Sequence, residues 1–207
     1  AVIAALIIGH AMPQIKLWRN FTWFERWLEY LQQQFFTKAF WQSGYGLLLS
    51  IALPSVALWL LVFWLDGFFA FLVALAAMLY TWGPRDLDLD VNSIINAASL
   101  EEKETAARAL YEEGQEVSLE GPVAVAAVFE NALTRWFAVL FWFVLLGPSG
   151  ALLYRLMLHY AASLKPGHSH GEPLSYLIAL TEWLPARLTA LAYALSGDFE
   201  RGFVALQ

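Results

Sequence analysis

From Gly44 to Trp82 the chain is dominated by Leu, Val, Ala, Phe and Trp, and Asp66 is the only charge. At about 1.5 Å rise per residue a helix needs roughly 20 apolar residues to cross a hydrocarbon core about 30 Å thick. The run therefore predicts two membrane passes folded as a hairpin. Its break falls at Leu65-Asp66-Gly67, because a carboxylate is costly in lipid and Asp-Gly favours a turn. The first arm, Gly44 to Leu65, is full length and carries Pro54 as a kink point; the second, Phe68 to Pro84, is near the short limit for a span.

Ahead of the hairpin, Leu17, Trp18, Phe21, Phe24, Leu28, Leu31 and Phe35 recur at helical spacing between Ile15 and Phe36, with Lys16, Arg19, Arg26 and Glu29 among the polar positions. Two readings fit this amphipathic pattern. One is an interfacial helix with Trp18, Trp23 and Trp27 at the headgroup level; the other is a soluble-style helix packed on the bundle. Ala1 to Ile8 reads as the tail of a truncated first hydrophobic segment.

After the hairpin the pattern turns polar. Ten of the eighteen acids fall between Arg85 and Glu120. Ser99 and Glu102 have capping-box spacing, Lys103 to Tyr111 favours helix, Gly114 is a stop, and Gly121-Pro122 opens a helix that runs into apolar sequence. Ala132 to Leu146 is interrupted by Gly147-Pro148-Ser149-Gly150 before Ala151 to Leu164 resumes. This segment is either a crossing with a mid-membrane break or a re-entrant pair of short helices, with the second slightly favoured because it keeps Arg155 and Lys165 on the cytoplasmic side. Glu182 to Leu195 reads as a last apolar helix containing Pro185 and Arg187.

Composition agrees with the pattern: 59% of the 207 residues are hydrophobic and only 14% charged, which fits a small polytopic membrane domain. The expected fold is an all-α membrane helical bundle in one domain, residues 1–207. Its parts are a partial first segment and interfacial helix (1–43), the transmembrane hairpin (44–84), an acidic cytoplasmic helical segment (85–131) and broken or re-entrant membrane helices (132–207). Lys16, Arg19, Arg26, Lys38 and Arg85 flank the hairpin on one side and no basic residue lies at its tip, so the positive-inside rule makes the flanks cytoplasmic. The expected location is the bacterial inner membrane, crossed several times, with the lipid bilayer as partner. A net charge of −6 without a basic stripe argues against nucleic acid, and the absence of cysteine removes thiolate chemistry and disulfides.

The stretches VFENALTRWFAVLFWFVLLGPSGALLYRL and LTEWLPARLTALAYALSGDFERGFVAL, with GPRDLDLDV at Gly83 to Val91, resemble AmpE, an inner-membrane protein linked to regulation of β-lactamase induction. They resemble more distantly the cobinamide-phosphate synthases called CobD or CbiB. Those enzymes attach an aminopropanol-type group to a corrinoid carboxylate and need an activating nucleotide. Their Arg-Asp-Leu step is met by Arg85, Asp86 and Leu87, and their Glu-Asn pair by Glu130 and Asn131. Gly147-Pro148, Tyr154-Arg155 and Pro185 to Thr189 also fit. A family Asp falls on Thr134, the following Gly on Arg135, and an acid-containing block on Leu158 to Ser163, which has no carboxylate. The AmpE resemblance therefore implies a non-catalytic regulatory protein concerned with cell-wall status, whose acidic helices contact a protein partner. The CobD/CbiB resemblance implies the alternative, a membrane enzyme joining an amine to an activated carboxylate or phosphate. Only that alternative calls for a Mg²⁺-nucleotide; otherwise no cofactor and no metal site are expected.

The candidate polar pocket is Arg85, Asp86, Glu130, Asn131, Arg155 and Arg187, in which guanidinium groups can grip a phosphate or carboxylate. The competing reading has Glu130 and Glu182 neutralising Arg135, Arg155 and Arg187 to hold the bundle together. Asp86, Asp88 and Asp90 open like a calcium loop, but Val91 and Ala97 stand where Gly and Glu belong, leaving a solvated acidic loop. His168 and His170, in a Gly/Pro loop, are expected at the solvent rather than on a metal shared with His159. Ser149 lacks the spacing of a nucleophile elbow, and Phe137, Phe141, Trp142 and Phe143 read as packing or lipid-facing residues.

Overall fold

The computed structural model describes residues 1–5, 20–35, 39–82, 87–111, 117–165 and 167–196, with side chains up to 192. Every regular element among them is helical. In chain order these are α1 (Thr22–Phe35), α2 (Ala39–Gln42), α3 (Gly44–Trp64), α4 (Gly67–Thr81), α5 (Leu87–Ile95) and α6 (Leu100–Ala107), the last running into a 3₁₀ turn (Arg108–Leu110). Then come α7 (Gly121–Ala132), a π turn (Leu133–Phe137), α8 (Ala138–Ser163) and α9 (Gly171–Ser196).

The hairpin forms where the Asp-Gly break places it. Leu65 and Asp66 are extended, Gly67 takes φ +45°, and the Asp66 side chain is exposed at the tip. The 15 residues of α4 span only about 22 Å, short of the hydrocarbon thickness. Gly44–Trp64 and the continuous helical stretch Gly121–Ser163 are long and apolar enough to cross a membrane. The most apolar window of α3 has mean hydropathy 2.3 yet is only 28% buried, with Val56, Trp59, Leu60, Leu61 and Phe63 facing outward. A soluble core helix of that composition would be covered by protein, so this surface is suited to lipid.

Helix α8 is the hub, packed against α3, α4 and α9. Its Val139, Ala151, Tyr154, Leu156 and Met157 are sealed in a core with Leu47 of α3, Met78 of α4 and Leu174 of α9. The amphipathic α1 also joins this core, through Phe24 and Leu28. Trp23 Nε1 donates to Tyr80 Oη at 2.7 Å, Trp27 Nε1 donates to the Ser50 carbonyl at 3.0 Å, and Glu25 lies 3.1 Å from His159 Nε2. Of the two readings of this helix, packing on the bundle is what the described residues show; Lys16, Leu17, Trp18, Arg19 and Lys38 lie outside them. A second, smaller core joins Leu87 of α5, Leu110 of the 3₁₀ turn, and Ala127 and Ala132 of α7.

Local signals hold at the ends of the helices. Glu102 N–H donates to Ser99 Oγ at 3.2 Å, while Glu102 Oε2 accepts from Ala98 N–H at 2.9 Å, a capping box whose return bond is shifted by one residue. Three elements depart from expectation. The acidic helix stops at Ala107 and tightens into the 3₁₀ turn, which carries Leu110 into the smaller core. The last helix begins at Gly171, not Glu182, because Leu174 is drawn into the main core and its N–H donates to the His170 carbonyl at 3.0 Å.

The third departure is the break in α8. Gly147 has φ +70° and ψ −161°, so the helix bends there. In a straight helix residues eight apart are separated by about 12 Å along the axis. A Cβ on Gly150 would instead sit 2.5 Å from the Trp142 carbonyl oxygen. The two halves therefore meet at a sharp corner that leaves no room for a side chain at position 150.

Candidate functional site

Polar side chains meet where α4, the π turn and α8 converge. Arg155, only 7% exposed, donates from Nε to the Thr81 carbonyl at 2.8 Å. Thr81 ends α4, where the last carbonyls lack helical partners and attract a cation. Arg155 NH2 also donates to the Arg135 carbonyl in the π turn at 3.4 Å. Arg135 in turn donates from NH1 to Asp90 Oδ2 at 2.8 Å and from NH2 to the Ala109 carbonyl at 2.9 Å. Asn131 donates to the carbonyls of Leu110 and Ala127, both at 2.8 Å. These bonds tie α5, the 3₁₀ turn and α7 to the π turn, α4 and α8.

On the other face of α8, the buried Tyr154 donates its hydroxyl to Glu182 Oε1 of α9 at 2.7 Å. Glu182 lines two adjoining clefts along α9. One, about 490 Å³, is also lined by Glu130, Trp183 and Arg187; the other, about 500 Å³, by Lys165, His168 and Ser175. The Arg187 guanidinium lies 4.0 Å from the centre of the Trp183 ring.

The structure therefore brings Glu130 and Arg187 into one cleft and places Arg155 and Asn131 in the neighbouring backbone-bonded network. Arg85 and Asp86 lie outside the described residues. The expected pairing of Glu130 and Glu182 with the arginines is replaced by other partners: Arg135 pairs with Asp90, and Glu182 accepts from Tyr154. Asp90 is 2% exposed within α5 and is no solvated loop residue, because the Arg135 charge offsets its burial. Tyr154, Trp183 and Asp90 were not legible as site residues, since each acquires its role from a partner at least four positions away in the chain. The one local signal was the adjacency of Tyr154 to Arg155 in an apolar helix.

His170 also departs from expectation. It is fully buried, with Nε2 2.8 Å from the Trp41 carbonyl and Nδ1 2.9 Å from Tyr160 Oη. These partners fit a neutral ring with the proton on Nε2 and the tyrosine donating to Nδ1. Burial lowers its pKa from the ordinary 6.5; the Trp41 carbonyl opposes this and His168 adds to it.

Among the described residues no three His, Cys, Asp or Glu side chains converge as metal ligands. Asp90 is held by Arg135, and Thr134 donates to the Glu130 carbonyl at 3.0 Å. Ser149 Oγ donates to the Leu146 carbonyl at 3.0 Å within the bend, and Trp142 Nε1 donates to the Thr181 carbonyl at 3.2 Å.

A family model described as CobD/Cbib protein matches residues 1–206. A cobalamin biosynthesis protein CobD from Chromobacterium violaceum is 39% identical over 85 residues, 38% of this chain and 27% of that protein. A second, from Stutzerimonas stutzeri, is 37% identical over 82 residues, again 38% of this chain and 27% of the relative. The matched stretch thus spans about a quarter of these relatives. No solved structure matches the chain. The expectation of an AmpE-type regulatory protein is overturned by these matches: the whole-chain model and both named relatives point to the CobD/CbiB branch. The chain belongs to the CobD/CbiB family.

Proposed function

We propose that this chain acts in a multi-pass inner-membrane enzyme of the cobinamide-phosphate synthase type, joining an amine to an activated corrinoid carboxylate. The observation that carries this reading is the family match over residues 1–206. The relatives' names, cobalamin biosynthesis protein, support the pathway. The cleft lined by Glu130, Glu182, Trp183 and Arg187 supplies charged groups beside apolar helices, as a site for a small polar substrate at a membrane requires. In this reading Arg155 and Asn131 hold the walls through their backbone hydrogen bonds and Arg187 meets ligand.

The reading is tested in cells blocked at the joining step of corrinoid synthesis. Expression of the full protein restores cobinamide formation, and Arg187→Ala lowers it at least tenfold without reducing the amount of membrane-inserted protein. Failure of the inserted wild-type protein to restore formation contradicts the enzyme reading.

A further inference from the structure

The corner at Gly147 does more than bend α8. Trp142 Nε1 donates to the Thr181 carbonyl at 3.2 Å and Tyr154 Oη to Glu182 Oε1 at 2.7 Å, so two positions twelve apart on α8 meet neighbouring residues of α9. In a straight helix such positions lie about 18 Å apart along the axis. Arg155 NH2 reaches the Arg135 carbonyl at 3.4 Å across twenty residues, which a straight helix would hold about 30 Å apart. The arms on either side of Gly147 therefore run antiparallel, side by side. The stretch Gly121–Ser163 has enough apolar residues to cross a membrane, but folded in this way it returns to the side it came from.

The depth of the fold follows from its neighbours. Arg155 also binds the carbonyl of Thr81, the last residue of α4. The eight residues from Gly147 to Arg155 carry the tip about 12 Å beyond that level, whereas a hydrocarbon core is about 30 Å thick. Burial marks the same limit. On α3 the buried residues are Gly46, Leu47, Ser50, Ile51 and Ser55 and on α4 Met78 and Thr81, none of them within ten residues of Asp66 along the chain. Nearer the turn, Trp59, Leu60, Leu61 and Phe63 on α3 and Phe68 and Phe69 on α4 are exposed. Three of these are consecutive, so the apolar surface runs round the helix and not along one stripe, which suits acyl chains better than a docked protein. The tip of α8 is equally apolar, with Val144, Leu145 and Leu146 exposed. Its broken backbone tolerates lipid because Pro148 has no N–H to satisfy and Ser149 Oγ donates to the Leu146 carbonyl at 3.0 Å.

We propose that α8 is a re-entrant hairpin that enters and leaves the membrane through the face bearing α5 and α6 and stops about half-way across, and that acyl chains of the far leaflet sheathe the outer half of the α3–α4 hairpin. Lys165, His168 and Ser169 then share a face with α5 and α6. The cleft lined by Lys165, His168 and Ser175 accordingly takes its ligand from that face. This topology holds whatever reaction the protein performs.

The test uses single cysteines in the full, cysteine-free chain, inserted in vesicles of known orientation. Ser169→Cys, at an exposed position, is expected to react with an impermeant maleimide from the same side as Glu101→Cys and from the side opposite to Asp66→Cys. Reaction from the Asp66 side means a full crossing and overturns the re-entrant fold. Paired spin labels at the exposed positions Phe137 and Ala162 give a second readout. A straight helix holds these backbones about 37 Å apart, whereas the hairpin brings them within about 25 Å. The longer distance overturns the proposal. Single labels placed in turn at Trp59, Leu60, Leu61 and Phe63 are expected to collide with dissolved oxygen equally at every position. Protection that repeats with the helical period means that a protein, a second copy of this chain included, lies on α3, and overturns the lipid sheath.

Discussion

At the scale of single residues, burial separates Arg155 from Arg187. Arg155 satisfies the end of α4 and the π turn, so Arg155→Ala leaves buried carbonyls unpaired and should cost about 2 kcal/mol or more. Arg187→Ala, on an exposed ring, should stay within about 0.5 kcal/mol of wild type. Equal losses in reversible unfolding would contradict this division of roles. The Arg135–Asp90 pair, with side chains 11% and 2% exposed, should behave as a buried ion pair. Asp90→Ala is expected to cost about 3 kcal/mol by stranding the guanidinium, and Asp90→Leu with Arg135→Met to recover more than half of it. Strictly additive losses would argue against the pairing. His170 gives a pH signature. Its lowered pKa means that the unfolded chain takes up a proton more readily than the folded one. The stability it contributes is therefore full above about pH 6.5 and is lost as pH falls toward its own lower pKa. Thermal unfolding between about pH 7.5 and 5 should show this decline, and His170→Gln should flatten it. The sequence made charges in apolar helices legible as paired, but not their partners. Asp90 and Arg135 are 45 positions apart and Tyr154 and Glu182 are 28, and only packing brings either pair together.

At the scale of elements, the chain was most legible where one residue type has one physical use. Asp66-Gly67 set the hairpin turn, Pro122 the start of α7, and Ser99 with Glu102 the cap of α6. Gly147-Pro148 announced a break but not its angle, because the angle depends on how closely Gly150 approaches Trp142. Gly147→Ala meets no atom within 4 Å but must hold φ +70° with ψ −161°, a region essentially reserved to glycine, at about 1–3 kcal/mol. Gly150→Ala drives a methyl against the Trp142 carbonyl and should cost more. The reverse order would mean that the corner is less tight than described. The start of α9 was missed for a related reason: Gly171 to Ser175 has little helical pattern of its own, and the segment is fixed by burial of His170 and Leu174.

At the scale of the whole molecule, α3 and α4 pack on the hub helix α8 and expose apolar side chains, whereas the polar clefts are lined mainly by α9, one together with α7 and the π turn. The cysteine-free sequence makes sidedness directly measurable. Single cysteines at Asp66 and Glu101 should be labelled by an impermeant maleimide from opposite faces of the membrane, and labelling from the same face would refute the hairpin topology. The broad class, helical and suited to a membrane, was legible from hydropathy alone. The family was not settled by hydropathy, because a fold does not by itself assign function and chemistry resides in a few side chains. The most direct test of the account is mass analysis of product formed by the purified full-length protein in nanodiscs, given a corrinoid carboxylate, an isotopically labelled amino-alcohol phosphate and a magnesium nucleotide. The account predicts a corrinoid amide carrying the label, lost at least tenfold in Arg187→Ala. Absence of labelled amide from folded wild-type protein that binds both substrates would contradict it.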